Sequence, residues 1–105
     1  MNIVELHKEA VLDLCKQHHV KSLSVFGSVL TNTFNEKKKS DIDFSVLFNR
    51  DVLNNPVDFG ENYLNFILNL EKEFKRDIDV VNEENLKNPY FASILNKTKQ
   101  LFYAA

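Results

Sequence analysis

The most regular alternation in this chain is Asp41-Ile42-Asp43-Phe44-Ser45-Val46-Leu47-Phe48. Apolar residues occupy every second position from Ile42 to Phe48, and successive side chains of a β-strand point to opposite faces. The pattern therefore predicts a strand with one apolar face. Asp41 and Asp43 are two residues apart, so they would project from the other face with their carboxylates close together.

The residues before this strand predict a helix, a strand and a tight turn. Asn2 and Glu5 have the spacing of a capping box, which predicts an opening helix that ends near His18. Its apolar stripe is expected at Leu6, Ala10, Leu14 and Cys15. The next segment, 23–26, is a short strand with Leu23 and Val25 on one face. Gly27 permits a sharp turn after it, and a short helix is expected from Ser28.

The residues after this strand predict two helices separated by another strand. Asn55-Pro56 and Asn88-Pro89 each place a capping residue before a proline at the first helical position. A third alternating strand is expected at 77–81. The last helix is expected to carry the apolar pattern Phe91, Ile94, Leu95, Leu101 and Phe102 to the end of the chain. The class is therefore α+β: a small mixed sheet of three to four strands packed with helices, in a single domain spanning 1–105.

Composition limits the function. The chain has 105 residues and a net charge of -2, which is too short for two domains and a poor basis for stable binding to long nucleic acid. The single cysteine, Cys15, suits a buried thiol in a reducing compartment, so we expect a cytoplasmic protein. The sequence contains no apolar run near the roughly 18 residues of a membrane span, and we expect no membrane association.

The aspartates predict a metal site. Asp41 and Asp43 would repel each other unless a cation lies between them, and Mg²⁺, with Mn²⁺ second, prefers such oxygen ligands. Asp79 would add a third carboxylate if its strand lies beside that of Asp43. Asp77 shares the strand face of Asp79 and competes for this role, although the apolar pair after Asp79 favours Asp79. Three carboxylates can hold two ions roughly 3.5 to 4 Å apart, as phosphoryl-transfer sites do.

Gly27 and Ser28 predict a phosphate-binding turn. A glycine lets the backbone approach a phosphate, and amide groups at the start of a helix attract anions. We therefore expect Gly27 and Ser28 to hold the β- and γ-phosphates of a nucleoside triphosphate while Asp41 and Asp43 bind the chelating metal. Asp79 would orient and help deprotonate an acceptor hydroxyl, which attacks the α-phosphorus and expels pyrophosphate.

A Gly-Ser pair, then Ser40-Asp41-Ile42-Asp43, then Asp79 in a later strand resembles the minimal nucleotidyltransferases of the DNA polymerase β superfamily. The likeness extends over nearly the whole chain and is greatest to the small MntA-type antitoxins, which are encoded with HEPN-domain ribonuclease toxins. The resemblance implies nucleotide binding by Gly27, Ser28 and Ser40, and catalysis and metal binding by Asp41, Asp43 and Asp79. It also implies ATP as substrate and transfer of AMP to a tyrosine of a HEPN-domain toxin, within a hetero-oligomer.

The sequence departs from many members of this family after the Gly-Ser pair. Where they have an arginine and a second glycine, this chain has Val29-Leu30-Thr31-Asn32. Lys37, Lys38 and Lys39 could supply the missing positive charge. An alternative is therefore a binding module with weak or no catalysis, which neutralises a HEPN toxin by complex formation. A transferase that modifies small antibiotics is disfavoured, because such enzymes need an added domain for the acceptor.

Overall fold

The sheet has four strands in the order β3-β2-β1-β4. A computed structural model describes residues 2–30 and 41–105. The strands are β1 (Val20–Phe26), β2 (Ile42–Phe48), β3 (Ile78–Asn82) and β4 (Gln100–Ala104). β1 pairs antiparallel with both β2 and β4, whereas β2 and β3 are parallel. The predicted α+β class with a small mixed sheet is confirmed, with four strands.

The helices are α1 (Ile3–Leu6), α2 (Lys8–Gln17), α3 (Pro56–Phe74) and α4 (Pro89–Thr98), and a 3₁₀ turn spans Gly27–Leu30. Both predicted asparagine caps are confirmed. The Asn55 side chain accepts a hydrogen bond from the Asp58 amide, and Asn88 accepts from the amides of Tyr90 and Phe91. Because a capping residue satisfies amides that the first helical turn leaves unpaired, each asparagine fixes where its helix begins.

The main core lies between one face of the sheet and α2 and α3. β2 contributes its predicted apolar positions, all of which are buried: Ile42, Phe44, Val46 and Phe48. The rings of Phe48 and Phe66 meet edge to face with centroids 5.7 Å apart, and the Phe44 ring lies 6.2 Å from that of Phe74. The same cluster includes Leu23 and Val25 of β1 and Cys15 of α2. The predicted burial of Cys15 is confirmed, and it raises the pKa of this thiol to about 12.

The strand connections assign α4 to the other face of the sheet. β3 and β4 are both parallel to β2, yet they form the two edges of the sheet. The β3-α4-β4 connection therefore runs from one edge of the sheet to the other. Its direction across the sheet is opposite to that of the β2-α3-β3 connection. Because such crossovers are right-handed, α3 and α4 are placed on opposite faces. Consistent with this, Leu95 of α4 is buried but is not part of the main core cluster.

Two sequence predictions of the elements are wrong in part. The opening helix is interrupted at His7, whose imidazole lies 2.7 Å from the Glu73 carboxylate and packs on the Phe74 ring. This interruption turns the apolar stripe, so that Val4 and Val11 are buried while Leu6 is 65% exposed. The chain also closes on a strand, not on a helix.

The final strand follows from the end of α4. Lys99 has extended backbone angles after Thr98, and residues 100–104 pair with β1. The helical pattern that included Leu101 and Phe102 was therefore wrong beyond residue 98. The signal for a strand was the sequence Leu-Phe-Tyr itself, since aromatic residues favour strands.

Within the described ranges, 2–30 and 41–105, none of the helices combines the length and the apolarity that a membrane span requires.

Candidate active site

The site is built where β2 and β3 begin. In the parallel ladder, Asp43 is directly opposite Asp79, and Ile42 is opposite Ile78. Since Ile42 and Ile78 are buried in the main core, strand alternation places both aspartates on the face that α4 crosses. Asp79 is exposed and Asp43 is half-buried. The two carboxylates that the sequence pattern put on separate strands are therefore neighbours.

The carboxylates affect one another. The pKa of Asp43 is raised to about 6, first by burial and then by the charge of Asp79, a side-chain hydrogen bond shared with Asp79 and the charge of Asp41. A proton on Asp43 thus relieves the repulsion between like charges, as in other carboxylate pairs. A divalent cation could serve in the proton's place, because it would favour the ionised form of both side chains.

Gly27 lies against this pair. It ends β1 with a φ of 78°, and its strand neighbour Phe26 is directly opposite Asp43. A Cβ at position 27 would collide with the Oδ2 atom of Asp43 and lie 3.1 Å from its Cγ. Both the left-handed backbone and the close approach require glycine here. The turn and the acid pair thus form one corner of the molecule.

The other predicted residues are placed as follows. Asp41 precedes β2 by one residue and is exposed, and its charge reaches Asp43. The described structure includes the backbone of Ser28, in the 3₁₀ turn, but not its side chain. Ser40 and Lys37, Lys38 and Lys39 lie outside the described residues. The expected helix after Gly27 is a single 3₁₀ turn, so its dipole is small and any phosphate contact must come from individual amides.

Asp77 is exposed and lies before β3, where its carbonyl accepts a hydrogen bond from the Ile42 amide. Besides burial, the charges of Asp79 and Asp41 raise the pKa of Asp43. Asp79 is also directly opposite Asp43 in the parallel ladder, whereas Asp77 precedes β3, and this register favours Asp79 as the partner of Asp43 at this site.

The carboxylates at this corner form a set of oxygen ligands that suits a divalent cation. Asp43 and Asp79 supply adjacent oxygens, Asp41 is within electrostatic range, and Gly27 leaves the space beside Asp43 that a side chain would fill. In the described part of the chain, no three acidic, histidine or cysteine side chains are already gathered as a metal centre. The fit therefore rests on the Asp43-Asp79 pair and the neighbouring Asp41.

Two polar residues that support the aspartate-bearing strands were not identified from the sequence. The Tyr63 hydroxyl of α3 donates to the Val80 carbonyl at 3.2 Å, which joins α3 to β3 on the core side of the sheet, one residue after Asp79. Ser45 is fully buried two residues beyond Asp43, and its hydroxyl has no hydrogen-bond partner among the described residues. A serine within an otherwise apolar central strand was the available signal for Ser45; no sequence pattern indicated Tyr63.

A cavity of about 640 Å³ lies at the opposite end of the sheet from this corner. Val20 and Phe48 line it, and these residues are at the far ends of β1 and β2 from Gly27 and Asp43. Its charged lining is mixed, with Lys16, Lys21 and Arg50 offset by Asp51 and Glu84. Neither its position nor its charge connects it to the aspartates.

Comparison with known proteins shows the family of this chain. Residues 7–102 match the model of the nucleotidyltransferase domain family. The chain belongs to this family. The match contains Gly27, Asp41, Asp43 and Asp79, so the turn and the acid pair lie within the family domain. Among curated protein sequences, none matches the chain at a significant level.

Solved structures give the same fold. A structure described as a minimal nucleotidyltransferase is 26% identical, with a TM-score of 0.70, and the match covers 92% of this chain and 90% of that one. A toxin-antitoxin structure with AMP-PNP is 16% identical, with a TM-score of 0.70, and the match covers 93% and 73%. A complex of a tri-AMPylated Shewanella oneidensis HEPN toxin with an MNT antitoxin is 15% identical, with a TM-score of 0.66, and the match covers 98% and 74%.

Proposed function

We propose that this nucleotidyltransferase is the antitoxin of a HEPN toxin-antitoxin pair and transfers AMP from ATP to a tyrosine hydroxyl of the toxin, in a reaction that depends on Mg²⁺. The observation that carries the proposal is the corner formed by Gly27, Asp43 and Asp79. Similar folds occur in a toxin-antitoxin structure with AMP-PNP and in a complex with an AMPylated HEPN toxin. These supply the nucleotide and the partner of the proposal.

Each residue has a role in the proposed reaction. Gly27 lets the triphosphate approach the backbone beside Asp43. Ser28 and Ser40 would donate further hydrogen bonds to the phosphates. Asp41 and Asp43 would hold the magnesium ion that chelates the triphosphate, and Asp79 would share it. Bound there, the ion would supply positive charge to the leaving phosphate oxygens.

Asp79 is suited to handle the proton of the acceptor. It is exposed, whereas Asp43 is half-buried beside it, so an incoming hydroxyl can reach the Asp79 carboxylate. Asp79 accepts the proton of the tyrosine hydroxyl as that oxygen attacks the α-phosphorus in line. The bond between the α-phosphorus and the bridging oxygen breaks, AMP becomes attached to the tyrosine, and pyrophosphate leaves.

The test compares two isosteric substitutions in the same segment. Purified chain and HEPN-domain protein are mixed with Mg²⁺ and ATP, and the HEPN-domain protein is weighed by mass spectrometry. We expect one or more adenylate increments with the wild type and with Asp77→Asn. With Asp79→Asn we expect transfer to fall by at least 100-fold while the complex still forms, as is usual on loss of a general base.

Two results would contradict the proposal. The first is transfer by Asp79→Asn at the wild-type rate. The second is Asp79→Asn, folded and bound, that shows no transfer yet still protects cells from the toxin; this would favour the alternative that the protein neutralises by occlusion.

A further inference from the structure

Two apolar surfaces remain exposed in the described part of the chain. We call the first the α4 surface; it consists of Tyr90, Phe91 and Ile94 of α4 together with Leu101 of β4. The second, the α3 stripe, consists of Val57, Leu64 and Leu68. Tyr90 is 75% exposed, Leu101 63% and Leu64 57%. Grouped apolar residues with this exposure mark sites of protein contact, whereas single ones do not.

Position separates the two surfaces. Leu101 is directly opposite Ser24, and Ser24 is opposite Ser45, so alternation places Leu101 on the same face as Asp43 and Asp79. The right-handed crossovers assign α4 to that face and α3 to the other. A protein docked on the α4 surface can therefore present a side chain to the acid pair, and a protein docked on the α3 stripe cannot.

Charge also separates them. Residues 86–105 contain three lysines and no acidic residue, in a chain whose net charge is -2. Lys99 pairs with Glu83 at 2.8 Å, but Lys87 and Lys97 are exposed and have no ion-pair partner among the described residues. Lys97 lies three residues after Ile94 and seven after Tyr90, which places it on the same side of α4. The α3 stripe is bordered by two acidic residues, Asp58 and Glu61, as well as by Lys72, so its border is not uniformly basic.

We infer that the α4 surface is the docking site for the acceptor protein, and that the matching surface of that protein is apolar at its centre and acidic at its rim. This rests on the proposed function, since the occupant is the protein that carries the acceptor hydroxyl. Ile94 lies within the apolar centre, and Lys97 provides a basic border. Complementary charge at such a border speeds association and aligns the partner.

The experiment uses matched variants on the two helices. Ile94→Asp and Lys97→Glu alter the α4 surface, and Leu64→Asp and Lys72→Glu make the same changes on α3. Binding of the HEPN-domain protein is measured by calorimetry, adenylate transfer by mass spectrometry, and Mg²⁺-ATP binding separately. Thermal unfolding checks that each variant is folded, as expected for substitutions at exposed positions.

We expect Ile94→Asp to weaken binding by at least 10-fold, as for an apolar residue central to an interface. Lys97→Glu should weaken it several-fold at low salt and less at high salt. Both α3 variants should bind as the wild type does, and all four should keep wild-type affinity for Mg²⁺-ATP. Adenylate transfer by Ile94→Asp should fall. It should recover when the concentration of the HEPN-domain protein is raised above the Kd of this variant.

Other results would overturn the inference. Unchanged binding in Ile94→Asp, or a loss confined to Leu64→Asp, would move the docking site away from α4 and leave the proposed transfer intact. A wild type that forms a dimer by itself through Ile94 would show that the occupant is a second copy. Conversely, binding that depends on Ile94 without any transfer by the wild type would retain the docking site and reject the proposed enzymatic function.

Discussion

At the scale of single residues, Gly27 links the fold to the chemistry. Its positive φ and its contact with the Asp43 carboxyl both exclude a side chain. The chain offers an internal control, because Gly60 lies within α3 and a Cβ there would have no atom within 4 Å. One glycine is thus required by geometry, and the other only weakens a helix.

We predict opposite effects of alanine at these two positions. Gly27→Ala should lower the free energy of unfolding by roughly 1–2 kcal/mol, the cost of a left-handed backbone for a residue with a Cβ, with a further loss from displacing Asp43. Gly60→Ala should raise it by roughly 0.5–1 kcal/mol. Urea unfolding measures both. A stable Gly27→Ala with wild-type transfer would contradict the close approach of the turn to Asp43.

The raised pKa of Asp43 predicts a pH dependence of stability. The usual pKa of this carboxyl is 3.8, and in the folded protein it is about 6. Between these two pH values, Asp43 keeps a proton in the folded state that it has released in the unfolded state. In the absence of divalent metal, this contribution to the free energy of unfolding is fully present below pH 3.8. It is lost as the pH rises through 6.

Asp43→Asn should therefore stabilise the metal-free protein at pH 7, by roughly 1 kcal/mol after allowance for solvent screening. The substitution should also reduce the decrease in the free energy of unfolding between pH 4 and 6. Thermal unfolding in EDTA across this range measures the effect. A less stable Asp43→Asn at pH 7 would show that the two carboxylates do not repel each other in the folded state.

At the scale of elements, α2 is joined to α3 through His18. The Asn62 amide nitrogen donates to the His18 carbonyl at 2.7 Å, its oxygen lies 3.2 Å from Nδ1, and the Asn69 amide nitrogen lies 3.2 Å from Nε2. His18 is 9% exposed and packs on the Phe66 ring. The two asparagines thus satisfy the polar groups of a buried residue at the point where α2 ends.

We predict that Asn62→Ala lowers the free energy of unfolding by roughly 1–3 kcal/mol, because it leaves the His18 carbonyl and ring nitrogen without partners. Asn65→Ala is the matched control, since Asn65 is exposed on the same helix. It should be neutral or slightly stabilising, because alanine favours helix. Guanidinium unfolding of the two variants provides the comparison. Equal stability of both would show that the His18 contacts contribute nothing measurable.

At the scale of the whole molecule, the site depends on three segments distant in sequence: the turn at 27, the start of β2 and the start of β3. A ligand that binds all three stabilises only the folded state. At ten times its Kd, Mg²⁺-ATP should add about 1.4 kcal/mol, and Tm should rise by roughly 4–8 °C per kcal/mol for a domain of this size.

This stabilisation should be lost in Asp43→Asn and retained in Asp77→Asn, whose carboxylate does not contribute to the pKa of Asp43. Thermal unfolding with ATP alone, Mg²⁺ alone and both together separates the contributions. A rise in Tm with ATP alone, equal to that with both, would contradict a metal-dependent site.

The sequence by itself determined the parts that depend on local chemistry. The asparagine-proline caps fix where α3 and α4 start, and the alternation in β2 and β3 fixes the faces of the aspartates. The glycine after β1 fixes the position of the turn. Each of these signals acts within a few residues. The tertiary structure decided how these parts meet. Strand order placed Asp79 beside Asp43, and contacts of His7 with Glu73 and Phe74 divided the opening helix. Pairing with β1 made residues 100–104 a strand. The energies of these contacts come from partners 36 to 82 residues away in the sequence, and no local pattern encodes them.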